Sequence, residues 1–65
     1  MATRIELRAT ADQPAHEVLV QQDYNAVAVS VNRAASQGES FLPLTGEDGK
    51  GITIDPALVD DISEV

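Results

Sequence analysis

Four sets of side chains in this 65-residue chain carry atoms able to act on another molecule or to hold one. His16 and Glu17 are sequence neighbours, and Ser30, Ser36, Ser40 and Ser63 supply hydroxyls. A base, a carboxylate that orients it and a hydroxyl are the parts of an activated nucleophile. Asp55, Asp60, Asp61 and Glu64 offer the oxygen ligands that a hard cation prefers. Gly46, Gly49 and Gly51 surround Lys50, a composition shared with loops that wrap phosphate. Arg4 and Arg8, with Glu6 between them, present guanidinium forks suited to carboxylates.

Spacing removes most of this chemistry. A phosphate loop must run into a helix whose N-terminus meets the anion. Here Ile52-Thr53-Ile54 continues as a strand, so the glycine cluster reads as a hairpin turn. On a regular strand Asp60 and Asp61 point to opposite faces, which argues for an acidic rim rather than a shared cation site. A lone His at the head of a strand ordinarily faces solvent, and so short a chain rarely encloses a small substrate. The expectation is no enzyme: no catalytic residue, no cofactor and no metal. The residues assigned to partner binding are Arg4, Arg8, Asp60, Asp61 and Glu64.

The elements that must position these residues follow from hydrophobic period. Residues 3–9 alternate, with Ile5, Leu7 and Ala9 on one face and Arg4, Glu6 and Arg8 on the other, as in a strand with one wet face. Residues 10–15 form a connector with turn chemistry at Asp12 and Pro14, and residues 16–21 form a second short strand. In the next stretch Val20, Tyr24, Val27, Ala28, Val31, Ala34 and Ala35 follow helical spacing, with Asp23 placed as N-cap and Gly38 beyond the C-terminus. The spacing predicts a helix over 24–37, with Val29 as the one apolar residue on its polar side. Residues 40–45 form a strand that Pro43 confines to an edge or bulge. Asp48-Gly49 turns the chain into a strand at 51–55, and Asp55-Pro56 starts a corner leading to a last strand over 58–65. Val59 and Ile62 differ by three positions, so both face inward only if a bulge shifts the register. The predicted fold is α+β, a small mostly antiparallel sheet of about five short strands with one helix, in a single domain spanning residues 1–65. The N-terminal strand is a candidate to extend a partner's sheet, and the last three strands form a meander.

Composition sets what this fold can do alone. Hydrophobic residues make up 43% of the chain, but nine of them are alanines. The groups left for a core are Ile5, Leu7, Val18, Val20, Tyr24, Val27, Val31, Phe41, Leu42, Leu44, Ile52, Ile54, Leu58, Val59 and Ile62. The absence of Cys excludes disulfides and thiolate zinc sites, and one His disfavours a structural metal. Small chains without such staples commonly rely on assembly. The net charge is −7, and residues 47–65 hold six acids against Lys50 alone. That balance opposes direct nucleic-acid binding, which needs basic patches, and suits a basic protein surface. No apolar run reaches the ~20 residues of a membrane span, and the N-terminus lacks the apolar core of a signal peptide.

The run Val20-Gln-Gln-Asp-Tyr-Asn-Ala-Val, then Ala34-Ala-Ser-Gln-Gly, Phe41-Leu-Pro-Leu-Thr and Gly51-Ile-Thr-Ile-Asp-Pro-Ala-Leu-Val-Asp-Asp-Ile-Ser-Glu resembles a pattern in short β-rich proteins of actinobacteria and their tailed phages. The Gly51–Glu64 portion is also similar to the opening strands of small flagellar proteins of the FlbD type. There it begins the protein and here it ends it, so a flagellar role is not transferred. The phage resemblance implies a capsid-associated accessory protein, a minor capsid or decoration subunit whose partner is a shell protein. It would be made in the host cytoplasm and carried in the virion, with no direct contact to nucleic acid, membrane or small-molecule substrate. The rival expectation is an acidic regulatory inhibitor that blocks a basic, nucleic-acid-binding surface of a partner. A third is a cellular homodimer joined through its sheets.

Overall fold

The computed structural model describes residues 2–65. In order these form β1 (Thr3–Leu7), β2 (His16–Val20), α1 (Tyr24–Ser36), β3 (Leu42–Thr45), β4 (Gly51–Ile54), a 3₁₀ turn (Pro56–Leu58) and β5 (Val59–Glu64). This is the expected α+β class, with one helix and five antiparallel strands. The strands form two sheets, one of order β2-β1-β5 and one of β3-β4.

Two expectations about connectivity are corrected. The last three strands are not a meander, because β5 leaves the β3-β4 hairpin and pairs with β1. In consequence β1 is the central strand of its sheet, hydrogen-bonded on both sides, and has no edge with which to extend a partner's sheet. The physical reason lies in its inward face: Ile5 and Thr3 are fully buried and Leu7 nearly so. A strand whose inward side chains are all buried gains cross-strand contacts from neighbours on both flanks.

The bulge required by Val59 and Ile62 is present. Ile5 pairs Ile62 and Glu6 pairs Asp61, after which the register shifts and Leu7 pairs Val59. Asp60 is therefore the extra residue, and Val59 and Ile62 both pack against the core.

Helix α1 ends in a Schellman arrangement. Gly38, at φ +69°, donates to the Ala35 carbonyl at 3.1 Å, and Glu39 donates to that of Ala34 at 3.0 Å. At the other end the Asp23 carbonyl accepts from the Val27 amide at 3.0 Å, while its carboxylate makes no capping hydrogen bond. Val27, Val31 and Ala34 face inward, and Val29 is 55% exposed on the polar side. With Ile5, Leu7, Val20, Leu44 and Ile54 they form the core. Both aromatic residues of the expected core are outside it: Tyr24 is exposed and Phe41 is 75% exposed. Val27, Val31 and Ala34 hold the inward positions of α1, so Tyr24 in its first turn and Phe41 in the loop before β3 lie at the margin of the core. Ala9, expected inward, lies beyond β1 and is exposed.

The hairpin closes through five residues. Gly46 donates to Lys50 at 2.8 Å, Gly49 donates to Gly46 at 2.9 Å, and the Asp48 carboxylate accepts from the Lys50 amide at 3.0 Å. Gly49 sits at φ +87°, a conformation that side chains disfavour. The hairpin is stitched to β2 by a short seam: Gln21 donates to Thr45 at 2.8 Å and Glu47 to Leu19 at 3.1 Å, around the Val20–Gly46 bridge. The connector between β1 and β2 is organised by Thr10 rather than by Asp12. Its Oγ1 accepts from the amides of Asp12 and Gln13.

Candidate functional site

The register of the three-stranded sheet decides which charged residues meet. Alternation along β1 turns Ile5 inward, so Arg4 and Glu6 stand on the wet face. Glu6 pairs Glu17 on one side and Asp61 on the other, so three carboxylates cross the face in one row. All three are exposed. Like charges directly opposite one another destabilise a sheet by some tenths of a kcal/mol per pair, on the order of what favourable cross-strand pairs contribute.

Arg4 on β1 and Arg8, the residue just after it, flank this row. Arg4 Nε lies 3.2 Å from Glu17 Oε2 at an angle that makes an ion pair and not a hydrogen bond. Arg8 Nη2 lies 3.8 Å from Asp60 Oδ1. Both pairs are roughly half exposed, and such pairs contribute about 0–1 kcal/mol. They partly neutralise an acidic face without locking it.

Of the residues assigned to partner binding, the fold thus brings four together. Arg4, Arg8, Asp60 and Asp61 share the wet region of the β2-β1-β5 sheet. The expectation that Asp60 and Asp61 face opposite ways is overturned, because the bulge breaks the alternation and leaves both exposed. Glu64 does not join them. It pairs Thr3, whose side chain is fully buried on the core side, and it borders a shallow depression with Asp23, Tyr24 and Asn25. Glu6 and Glu17 complete the acidic row and were not among the expected binding residues. Alternation alone placed Glu6 on the wet face, but its company depended on which strands lie beside β1.

His16 and Glu17 border an open depression of about 330 Å³ with Glu6 and Asp60. Consecutive strand positions project to opposite faces, so the pair does not form a base and its orienting group. The imidazole Nδ1 instead lies 3.1 Å from the Pro14 carbonyl. None of Ser30, Ser36, Ser40 and Ser63 borders the depression. Among the described residues no group of three or more His, Cys, Asp and Glu side chains has metal-holding geometry. Nor is any helix long and apolar enough to cross a membrane.

Comparison of the chain with protein-family models, with characterised proteins and with solved structures gives no significant match.

Proposed function

We propose that this protein is a non-enzymatic interaction subunit that works by surface complementarity as an accessory of a larger protein assembly. The observation that carries this reading is the position of Phe41. It is the only phenylalanine of a chain poor in bulky groups, yet it is 75% exposed immediately before β3. Aromatic side chains dominate binding energy when a partner desolvates them, and an aromatic held outside a small core is available for that use. Val29 on the outer side of α1 adds a second exposed apolar group.

The setting implied by the phage resemblance is a capsid shell, with the protein as a minor or decoration subunit. Many equivalent sites on a shell let a weak individual contact hold by multivalency. Purified particles carrying this chain at fixed stoichiometry, with Phe41→Ala particles depleted of it, are the expected result. Particles devoid of the wild-type chain would sink the virion setting.

The row Glu17–Glu6–Asp61 favours a second reading. A regulatory inhibitor could lay this acidic face in the basic, nucleic-acid-binding groove of a partner. Binding would then fall steeply with salt. It would be lost in the triple variant Glu6→Gln, Glu17→Gln, Asp61→Asn and retained in Phe41→Ala, the opposite of the first reading.

A further inference from the structure

The three-stranded sheet has two outer edges, and they are treated differently. On β2 the outward backbone groups near Leu19 and Gln21 are taken by Glu47 and Thr45 of the hairpin. On β5 no hydrogen bond from another described element arrives at the corresponding side. The Val65 amide donates to Ala2 at 3.2 Å. In an alternating antiparallel ladder this turns Asp61, Ser63 and Val65 toward β1, and it turns the N–H and C=O of Ile62 and Glu64 outward.

Beside this edge lies an open groove of about 440 Å³ between α1 and β5. Tyr24, Ala28, Val31, Pro56, Val59 and Ile62 supply apolar lining. Asp60 and Asp61, exposed on the wet side, border the same groove as the inward-packed Val59 and Ile62. A groove reached from both faces of a strand runs along its edge. Glu64 borders the depression that continues past it toward the start of α1.

We infer that the outer edge of β5 receives an extended, lysine- or arginine-bearing segment of a partner protein, which joins the sheet as a fourth strand. The outward groups of Ile62 and Glu64 supply main-chain hydrogen bonds, and the groove accepts alternate apolar side chains. The intervening basic side chains meet Asp60 and Asp61 on the wet face. A second copy of this chain is the wrong occupant. Pairing β5 with itself about a two-fold axis sets these same acids against one another, on a chain whose net charge is −7. The inference rests on the reading of the chain as an interaction subunit and names the chemistry of what it binds.

The test uses the full chain, labelled with nitrogen-15, and two blocked peptides, Lys-Val-Lys-Val-Lys-Val and Glu-Val-Glu-Val-Glu-Val. The basic peptide should shift the Ile62 and Glu64 amides and slow their exchange with solvent, and the acidic peptide should do neither. Glu64→Pro removes an amide that points away from β1, so the fold survives by circular dichroism. Binding should nevertheless weaken about tenfold or more, as for loss of a main-chain bond of ~1.4 kcal/mol. Asp61→Asn should weaken it only severalfold. Equal shifts from both peptides, shifts confined to the Glu17–Glu6–Asp61 face, or self-association that moves Ile62 and Glu64 would each overturn the inference. So would unchanged binding of the basic peptide by Glu64→Pro. Any of these results beside particles that still carry the chain would overturn the strand-addition mode and leave the accessory role standing.

Discussion

The β2-β1-β5 sheet and the β3-β4 hairpin are made of strands of similar length, yet they are held in different ways. The sheet has a central strand that carries two of the four fully buried side chains, Thr3 and Ile5, and helix α1 packs on the sheet through β5. The hairpin has no central strand. It depends on a glycine-rich turn, on Leu44 and Ile54 reaching the common core, and on the short seam to the end of β2. An isolated two-stranded hairpin is marginal in water at best. The difference teaches that this molecule should fail in parts: damage to the sheet removes everything, and damage to the hairpin first removes the hairpin.

The largest effect tests the first half of that contrast. Ile5→Ala, at a position with no exposed surface, should cost ~2–5 kcal/mol, a large fraction of what so small a domain has. Thermal unfolding by circular dichroism should show most of the chain unfolded near room temperature. A variant that stays folded while the hairpin alone opens would reverse the hierarchy.

Gly49→Ala tests the second half. A methyl group there meets nothing within 4 Å, so the cost comes from the positive φ alone, about 1–2 kcal/mol. Hydrogen exchange should accelerate in β3 and β4 and stay unchanged in β1. Uniform acceleration across both sheets would show that they unfold as one unit.

Thr3→Val examines how the sheet is tied to the chain that leaves it. The Thr3 hydroxyl donates to the Gln22 carbonyl at 2.7 Å, just after β2 and next to the seam. Removing that donor at nearly constant shape should cost ~1 kcal/mol, read from the urea midpoint. No change would mean that the seam holds without it.

The smallest effect has the opposite sign. Glu6→Gln relieves two like-charge pairs and should raise stability by a few tenths of a kcal/mol, less in high salt. Destabilisation would mean that the Glu6 carboxylate has a favourable partner and that the acidic row is structural.

The elements were legible because their causes are local. Alternation in residues 3–7, the caps of α1 at Asp23 and Gly38, and the Asp48-Gly49 turn each depend on residues a few positions apart. Even the β5 bulge was legible, since the three-residue spacing of Val59 and Ile62 allows no regular strand to bury both. Helix α1 ended one residue sooner than its pattern suggested, at Ser36 with Gln37 as the cap. The candidate site was legible only in pieces: Arg4 and Arg8 declared a wet face, but nothing local joined Glu17 or Asp61 to Glu6.

The chain's own residues thus settled its class, its turns, its helix and its acidic, cysteine-free character. Strand neighbours were a decision of the tertiary structure. Side-chain alternation says which face of a strand is buried and is silent about which strand lies beside it. Pairing β5 with β1 rather than with β4 gives Ile5, Thr3 and Leu7 cross-strand neighbours on both flanks of the buried face. That single pairing brought Glu6 beside Asp61, took β1 away from the sheet edge and made the outer side of β5 an open edge.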